Sequence, residues 1–489
     1  MELSPLPILD AAERYHGKFV DLEANRTIGA DAFLRGRNDL ARHLQIVGLE
    51  NGQRVVVSVG NGPAFVATLL SVLVAGGSPL LLHAKTPVAE LKRTALRCGA
   101  PLVISDSGSS EEFHAESIRV SSLVVDGWIE LLVGRIDEGT VGFNTDLAVL
   151  SGVPLHLTSG TTGQPKVAVR PAHAAMEEAR HYIETIGITD TDMIMAVAPM
   201  CHAYAYGMCV MVPLLSGASV VSMRGFQPRL FFQGIQQERL SILPAVPAML
   251  NGLLFGSGDL LRKALSTVLS AGSSLSETTA RNFYKKTGIA IRPLYGTTET
   301  GGITVAPTGT EQIAGRCVGP VMSGVEAEIR PHPAHTSTQA GVGKLFIRSS
   351  SMMSGYLGKD GIDTSCLPDG WFNTGDLASI DDAGHIHLMG READVINVEG
   401  LKVLPSEVEE VIALIPGVTE VAVYAGHRRS GSQFIKVAVV IDPTVNVDEQ
   451  SIRAHCEYHL VHYKRPEKIL SVESLPRSPA GKILRDQLP

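Results

Sequence analysis

No C-x-x-C pair occurs in this chain. Its six cysteines, Cys98, Cys201, Cys209, Cys317, Cys366 and Cys456, are scattered and have no histidine at metal-ligand spacing. A zinc module or disulfide framework is therefore not read from them, and reduced structural thiols of a cytosolic protein are expected. There is also no run of lysine and arginine, and the formal net charge is -8. That leaves no general attraction to nucleic acid or anionic lipid. The opening segment, MELSPLPILDAAERYHGKF, has no basic stretch leading into an apolar core, so no secretory leader is expected. The one long uncharged stretch, 199–223, is interrupted by His202, Pro213 and several Gly and Ser. It suits a buried strand–helix–strand better than a membrane span. These absences predict a cytoplasmic protein with neither nucleic acid nor membrane as partner, and they leave a homodimer open.

What is present is an ordinary globular composition: 44% hydrophobic, 19% charged, with 49 Gly and 27 Pro to make turns. A chain of 489 residues is too long for one compact core, so at least two domains are expected. From Arg54 the runs RVVVSVG, AFVATLLSVLVAGG, SPLLLHA, PVAELKRTALRCG and PLVISD alternate β-branched strands with helix-length segments and glycine stops. That rhythm marks βαβ units on a parallel sheet. It returns at MIMAVAP, GMCVMVPLLSGA and SVVSMRG, and again at TVLSAGS, SETTARNFYKKTG and IRPLYG, where Ser276 is placed to cap a helix. Ligands of such sheets gather at the carboxyl ends of the strands. Past Gly302 the short runs VEAEIRP, GKLFIRS and HIHLMG predict a small antiparallel sheet or barrel. After Arg391, SEVEEVIALIPG and DEQSIRAHCEYHLVHY read as helices around the strand pair VTEVAVYAG and FIKVAVVID. The expected fold is α/β. A large N-terminal domain, 1–390, consists of doubly wound layers plus a small β-barrel-like subdomain, and a small α+β C-terminal domain covers 391–489.

Five loops carry candidate chemistry. In LHLTSGTTGQPKVAVR, 155–170, four hydroxyl residues, two glycines and Lys166 lie between two strand-like runs. Glycines let backbone N–H groups turn inward, hydroxyls add donors and the lysine adds charge, which suits a phosphate-rich ligand; a plain turn is the alternative. The P-loop pattern GxxxxGK[ST] is absent, and a strand follows where that motif needs a helix. LYGTTETGG, 294–302, ends a predicted strand: Tyr295 offers a flat face for a base, Thr298 a hydroxyl and Glu299 a hard carboxylate suited to Mg²⁺. GWFNTGDL places Asp376 in a glycine-bounded turn, able to accept from a ribose diol or to cap the turn. GREADVINVEGLKV carries Arg391, and a Ser-Pro-Ala-Gly turn presents Lys482.

Together, in this order, TSGTTGQPK and YGTTE…TGD…GR…PAGK resemble the motifs of the acyl-adenylate-forming superfamily, from the region of Phe19 to Lys482. That group includes acyl- and aryl-CoA synthetases, the adenylation domains of peptide synthetases, and luciferase. The resemblance implies a large N-terminal and a small mobile C-terminal domain, with ATP, Mg²⁺ and CoA or a phosphopantetheinyl carrier as reactants. By resemblance, Thr158, Ser159, Gly160, Thr161, Thr162, Gly163 and Lys166 grip the β- and γ-phosphates. Ser270, Ala271 and Gly272 line the adenine opposite Tyr295, with Gly296 and Thr297 alongside. Thr298 holds the α-phosphate, Glu299 the Mg²⁺, and Asp376 and Arg391 the ribose. Lys482 resembles the lysine that bridges the acid and the α-phosphate, and Gly400 would approach the site for the thiol step. Where the family commonly has Asp or Lys at its hinge, this chain has Ala393, so the usual polar contacts at the pivot are missing.

The segment APMCHAYAYG matches the family region where CoA ligases carry a gate, a role His202 fits; a buried structural histidine is the alternative. Amino-acid-activating members have an Asp just after this position, but here the residue is Ala203. An ammonium left without a counter-charge is costly, which disfavours an α-amino acid. His202, Ala203, Tyr204, Met208 and Gly301, with Ala271 and Gly272, are expected to line an apolar pocket for an aryl or medium aliphatic acid. No carrier segment follows Lys482, so the acceptor is expected to be CoA or a separate acyl carrier protein. The rival readings are a carrier-loading amino-acid adenylation enzyme, an ADP-forming phosphotransferase and a non-catalytic nucleotide-binding protein.

Overall fold

The computed structural model describes residues 6–136, 153–158, 166–307, 315–331, 341–358, 361–398, 401–428, 433–478 and 483–489. Contacts sort the chain into two compact units. One comprises Met1–Gly315, Gly319–Glu326 and Ile347–Phe372; the other comprises Arg316–Val318, Ala327–Phe346 and Asn373–Pro489.

The first unit holds two large wound sheets, as the alternating runs predict. In the eight-stranded sheet, Ile291–Thr297, Thr267–Ser270, Ile242–Ala245, Met193–Ala196, Ser219–Ser222 and Lys18–Asp21 lie side by side and parallel. Gly301–Val305 and Arg26–Gly29 close its edges antiparallel. The nine-stranded sheet has a parallel centre, Leu155–Thr158, Ser78–Leu81, Arg54–Ser58 and Leu102–Ser105, flanked by antiparallel strands on both sides. The central strand Arg54–Ser58 is buried at every position. Continuous burial of this kind belongs to parallel strands covered on both faces. The helix Pro63–Val74 is apolar all round and buried along most of its length, whereas Val88–Cys98 is amphipathic and stops at Gly99, whose φ of 64° is left-handed. Ser276 caps Glu277–Thr287 as expected, its hydroxyl accepting from the Thr279 N–H.

The stretch 199–223 follows the strand Met193–Ala196 as a helix, Ala203–Tyr206, then a π-helical turn, Gly207–Met211, and a further helical turn, Val212–Ser216, before the strand Ser219–Ser222. Among the described residues, no helix is long and apolar enough to cross a membrane.

Past Gly302 the strands Cys317–Pro320, His385–Arg391, Phe372–Ile380, Gly343–Ser349 and Val325–Pro331 form one five-stranded sheet in that order. The C-terminal α+β piece follows its sequence pattern. Val418–His427 pairs antiparallel with Gln433–Ile441, and Lys468–Ser471 adds to the latter in parallel. The helices Pro405–Ala413 and Glu449–His459 contribute Val408, Ile412, Ile452 and Cys456 to a core with Val423, Val437 and Val439.

Candidate active site

The hydroxyl-rich loop is anchored by its strands. Leu155–Thr158 and Lys166–Val169 pair antiparallel, with Thr158 opposite Lys166. Ser159, Gly160, Thr161, Thr162 and Gly163 lie outside the described residues, as do Gly400 and Lys482. The far edge of Lys166–Val169 carries the strand Gly355–Gly358, with Tyr356 opposite Ala168. This brings in a residue the sequence reading passed over. The Lys166 Nζ lies 4.8 Å from the Tyr356 ring centroid, within cation–π reach. The Tyr356 hydroxyl donates to Glu299 Oε1 at 2.8 Å. Burial, and then the charge and hydrogen bond of Glu299, hold the Tyr356 phenol well above its usual range, with Thr158 acting on the same hydroxyl in the opposite sense. Thr158, Lys166 and Glu299, read from two distant motifs, thus converge on one tyrosine. SMMSGYLGK contains no chemical pattern to announce it.

Glu299 reaches that position through a short turn after the strand Ile291–Thr297. Thr297 and Thr300 lock the turn from both sides: the Thr300 N–H donates to Thr297 Oγ1 at 3.2 Å and the Thr297 N–H to Thr300 Oγ1 at 3.3 Å. Thr298 and Glu299 lie between these ties, half-buried. Next to it, the parallel register sets Ser270 against Pro293. Ala271 and Gly272 therefore leave the sheet at the same carboxyl end as Tyr295 and Gly296, where ligands of wound sheets bind. Among the described residues no cluster of three or more metal-ligating side chains exists. One carboxylate acting together with nucleotide phosphates is the way Mg²⁺ is usually held, and Glu299 fits that demand.

In the second unit Asp376 does not sit in a turn. It lies within the strand Phe372–Ile380 and faces Arg391 across the antiparallel ladder. The Arg391 Nε to Asp376 Oδ1 distance is 2.8 Å, and Arg391 Nη1 also donates to the Thr374 carbonyl at 3.3 Å. The glycine of TGD takes a φ of 73° without breaking the strand, which is why the local sequence looked like a turn. Ala393 is exposed, and its neighbours are each ion-paired, Glu392 with Lys344 at 2.7 Å and Asp394 with Arg485 at 3.6 Å.

His202 precedes the helix Ala203–Tyr206 and stacks against His83, with centroids 6.3 Å apart. Burial, then the His83 ring, push its imidazole down to about 4, so it is neutral at physiological pH. Ala203 and Tyr204 are half-buried and Met208 is buried. Gly301 backs directly onto a pair of buried charges. A Cβ at that position would lie 2.8 Å from Glu178 Cδ and 2.9 Å from Arg170 Nη2. These two form a fully buried ion pair at 2.7 Å, with exposures of 0% and 1%. Glu178 Oε1 also accepts from the Tyr182 hydroxyl and the Gly302 N–H. No periodicity distinguished either residue, since one follows directly on a strand and the other lies on a helix among other charged side chains.

Nearby, burial and then Arg170 push His156 down to about 3. An unfolded histidine titrates near 6.5, so between that pH and the native values the unfolded chain binds more protons. Stability is expected to be complete above pH 6.5 and to fall towards pH 4 by up to about 1.4 kcal/mol per pH unit for each of the two histidines. Urea unfolding across that range measures the slope, and His156→Gln should remove about half of it.

The fold and this site define a nucleotide-using ligase of the adenylate-forming class. The chain belongs to the AMP-binding enzyme family: the family model matches residues 10–357, and the model of the AMP-binding enzyme C-terminal domain matches 407–482. It is similar to 4-coumarate–CoA ligase-like 1 of Arabidopsis thaliana, 27% identical over 98% of this chain and 92% of that one. It is also 27% identical to the long-chain-fatty-acid–CoA ligase FadD13 of Mycobacterium tuberculosis, over 92% and 90% of the respective chains. Its fold matches o-succinylbenzoate CoA synthetase (MenE) of Bacillus subtilis, solved with an acyl-adenylate intermediate, at a TM-score of 0.80 and 20% identity over 98% and 97% of the two chains.

Proposed function

We propose that this enzyme activates a carboxylic acid with ATP, releasing pyrophosphate, and then passes the acyl group to CoA. The observation that carries the reading is the convergence of Thr158, Lys166 and Glu299 on Tyr356. Attack by a carboxylate oxygen on the α-phosphorus forms one P–O bond while the bond to pyrophosphate breaks. Anions meet in that step, so cationic and hydrogen-bonding groups must be in place beforehand. Lys166 neutralises the outer phosphates, and Tyr356 keeps both Lys166 and Glu299 aimed. Thr298 donates to the α-phosphate, Tyr295 stacks on adenine, and Asp376 with Arg391 takes the ribose hydroxyls. Bound at Glu299 together with the phosphates, Mg²⁺ would supply further charge neutralisation. Lys482 bridges the attacking carboxylate and the α-phosphate. In the second half-reaction the thiol attacks the acyl carbonyl and AMP leaves. The segment beyond Gly390 exchanges Lys482 for the region of Gly400 between the two steps, pivoting near Ala393.

Ala203 supports an acid without an α-ammonium group. The CoA ligases among the relatives support CoA over a carrier protein as acceptor. Six free cysteines support a reducing, cytoplasmic setting.

The test is a panel of carboxylic acids assayed for pyrophosphate and AMP, with and without CoA. Pyrophosphate should depend on the acid, and Glu299→Gln should lower its release by about 100-fold, the scale of losing one preorganised electrostatic group. Release of ADP in place of AMP overturns the proposal.

A further inference from the structure

Seven buried polar atoms around the gate helix have no hydrogen-bond partner among the described residues. They are both ring nitrogens of His156, Nε and Nη1 of Arg170, the hydroxyls of Tyr204 and Tyr206, and Nε2 of His202; of these, only the His156 ring has a backbone group, at Cys201, close enough to favour its charged form. Three of these side chains are sealed off, with exposures of 2% for His156 and 0% for Arg170 and Tyr206. They are also neighbours: the His156 and Tyr206 rings meet edge to face at 4.8 Å, and the charge of Arg170 acts on both. Buried polar groups are nearly always bonded, and a cluster of orphans calls for a partner. The cluster adjoins residues assigned to the acid pocket by resemblance: Tyr206 continues the helix that carries Ala203 and Tyr204, while Arg170 and Glu178 abut Gly301.

Building on the acid-activating reading above, we propose that the substrate acid carries a second, uncharged oxygen, a hydroxyl or carbonyl, that hydrogen-bonds to Tyr206, His156 and the unpaired edge of Arg170. The charge of this region selects an uncharged group. The Arg170 guanidinium is already balanced by Glu178 at 2.7 Å, so a second carboxylate would enter as an uncompensated buried anion. A purely apolar tail would leave every orphan unmet. Sites built to bond a substrate hydroxyl reject the analogue without it far more strongly than an apolar pocket rejects a missing methylene.

The experiment compares acids of equal size. Hydroxybenzoates are set against the matching methylbenzoates, and hydroxyhexanoate against heptanoate, with adipate as the dianionic arm; each is scored by kcat/KM for pyrophosphate release. The oxygen-bearing member of at least one pair should lead by about tenfold or more, and adipate should trail it. Arg170 is a poor first target because its loss strands Glu178. Tyr206→Phe removes only a hydroxyl that holds no internal bond, so the fold is retained. That variant should reduce the lead of the preferred oxygen acid by about tenfold. Ratios near one in the parent protein, or a ratio unmoved by Tyr206→Phe, overturn the inference and leave acid activation standing. Absence of pyrophosphate release with every acid overturns the acid-activating reading, and this inference with it.

Discussion

Lys482→Ala is expected to lower acid-dependent exchange of pyrophosphate with ATP by about 100- to 1000-fold, the range seen when one charge-stabilising group is removed from a reacting centre. The same variant should form thioester from a preformed acyl-adenylate at close to the parent rate. The asymmetry follows from the chemistry of each half. In the first, a carboxylate approaches a phosphorus surrounded by anionic oxygens, and a bridging ammonium lowers the repulsion as charge develops. In the second, a thiol attacks a neutral acyl carbonyl and the leaving group is AMP, so the bridging cation has no comparable work. Separate assays of exchange and of transfer from synthetic adenylate measure the two halves. Equal losses in both would show that Lys482 serves the whole cycle or the fold, and not adenylation.

The second large effect concerns stability. Glu178→Gln keeps the size and shape of the side chain but leaves the Arg170 guanidinium charged at 0% exposure. Burial disfavours that charge, and Glu178, by charge and hydrogen bond together, more than offsets the penalty. Breaking a buried pair from one side costs about 3–5 kcal/mol, because the remaining charge is uncompensated. Removing both charges, as Arg170→Met with Glu178→Gln, should recover most of that loss. Urea unfolding of the two singles and the double completes the cycle. A double variant as unstable as the sum of its singles would show that the two residues act independently.

Both predictions draw on residues that differ in how far the sequence announced them. The strand–helix alternation from Arg54 to Tyr295 was legible because parallel strands buried on both faces need continuous apolar runs. The Ser276 cap was legible because a helix N-terminus has few ways to satisfy its first N–H groups. The loops around Thr158 and Glu299 were legible only as members of an ordered set of motifs, since either one alone reads equally as a plain turn. Asp376 was placed correctly next to a glycine of positive φ but in the wrong kind of element. Its cross-strand pairing with Arg391 depends on register, which the local sequence does not carry.

Tyr356, Arg170 and Glu178 were not legible, for a common reason. Tyr356 meets Glu299 only because Gly355–Gly358 adds to the edge of Lys166–Val169, and Arg170 meets Glu178 where a helix packs back over the strand it follows. The sequence by itself determined the family of chemistry and the wound layers, because those depend on short-range patterns of residue type. Only the tertiary structure decided that Tyr356 meets both Lys166 and Glu299, and that Arg170 and Glu178 form a buried pair behind Gly301. Those outcomes depend on long-range strand pairing and on burial, which set the cost of each polar group and cannot be read from neighbours in the chain.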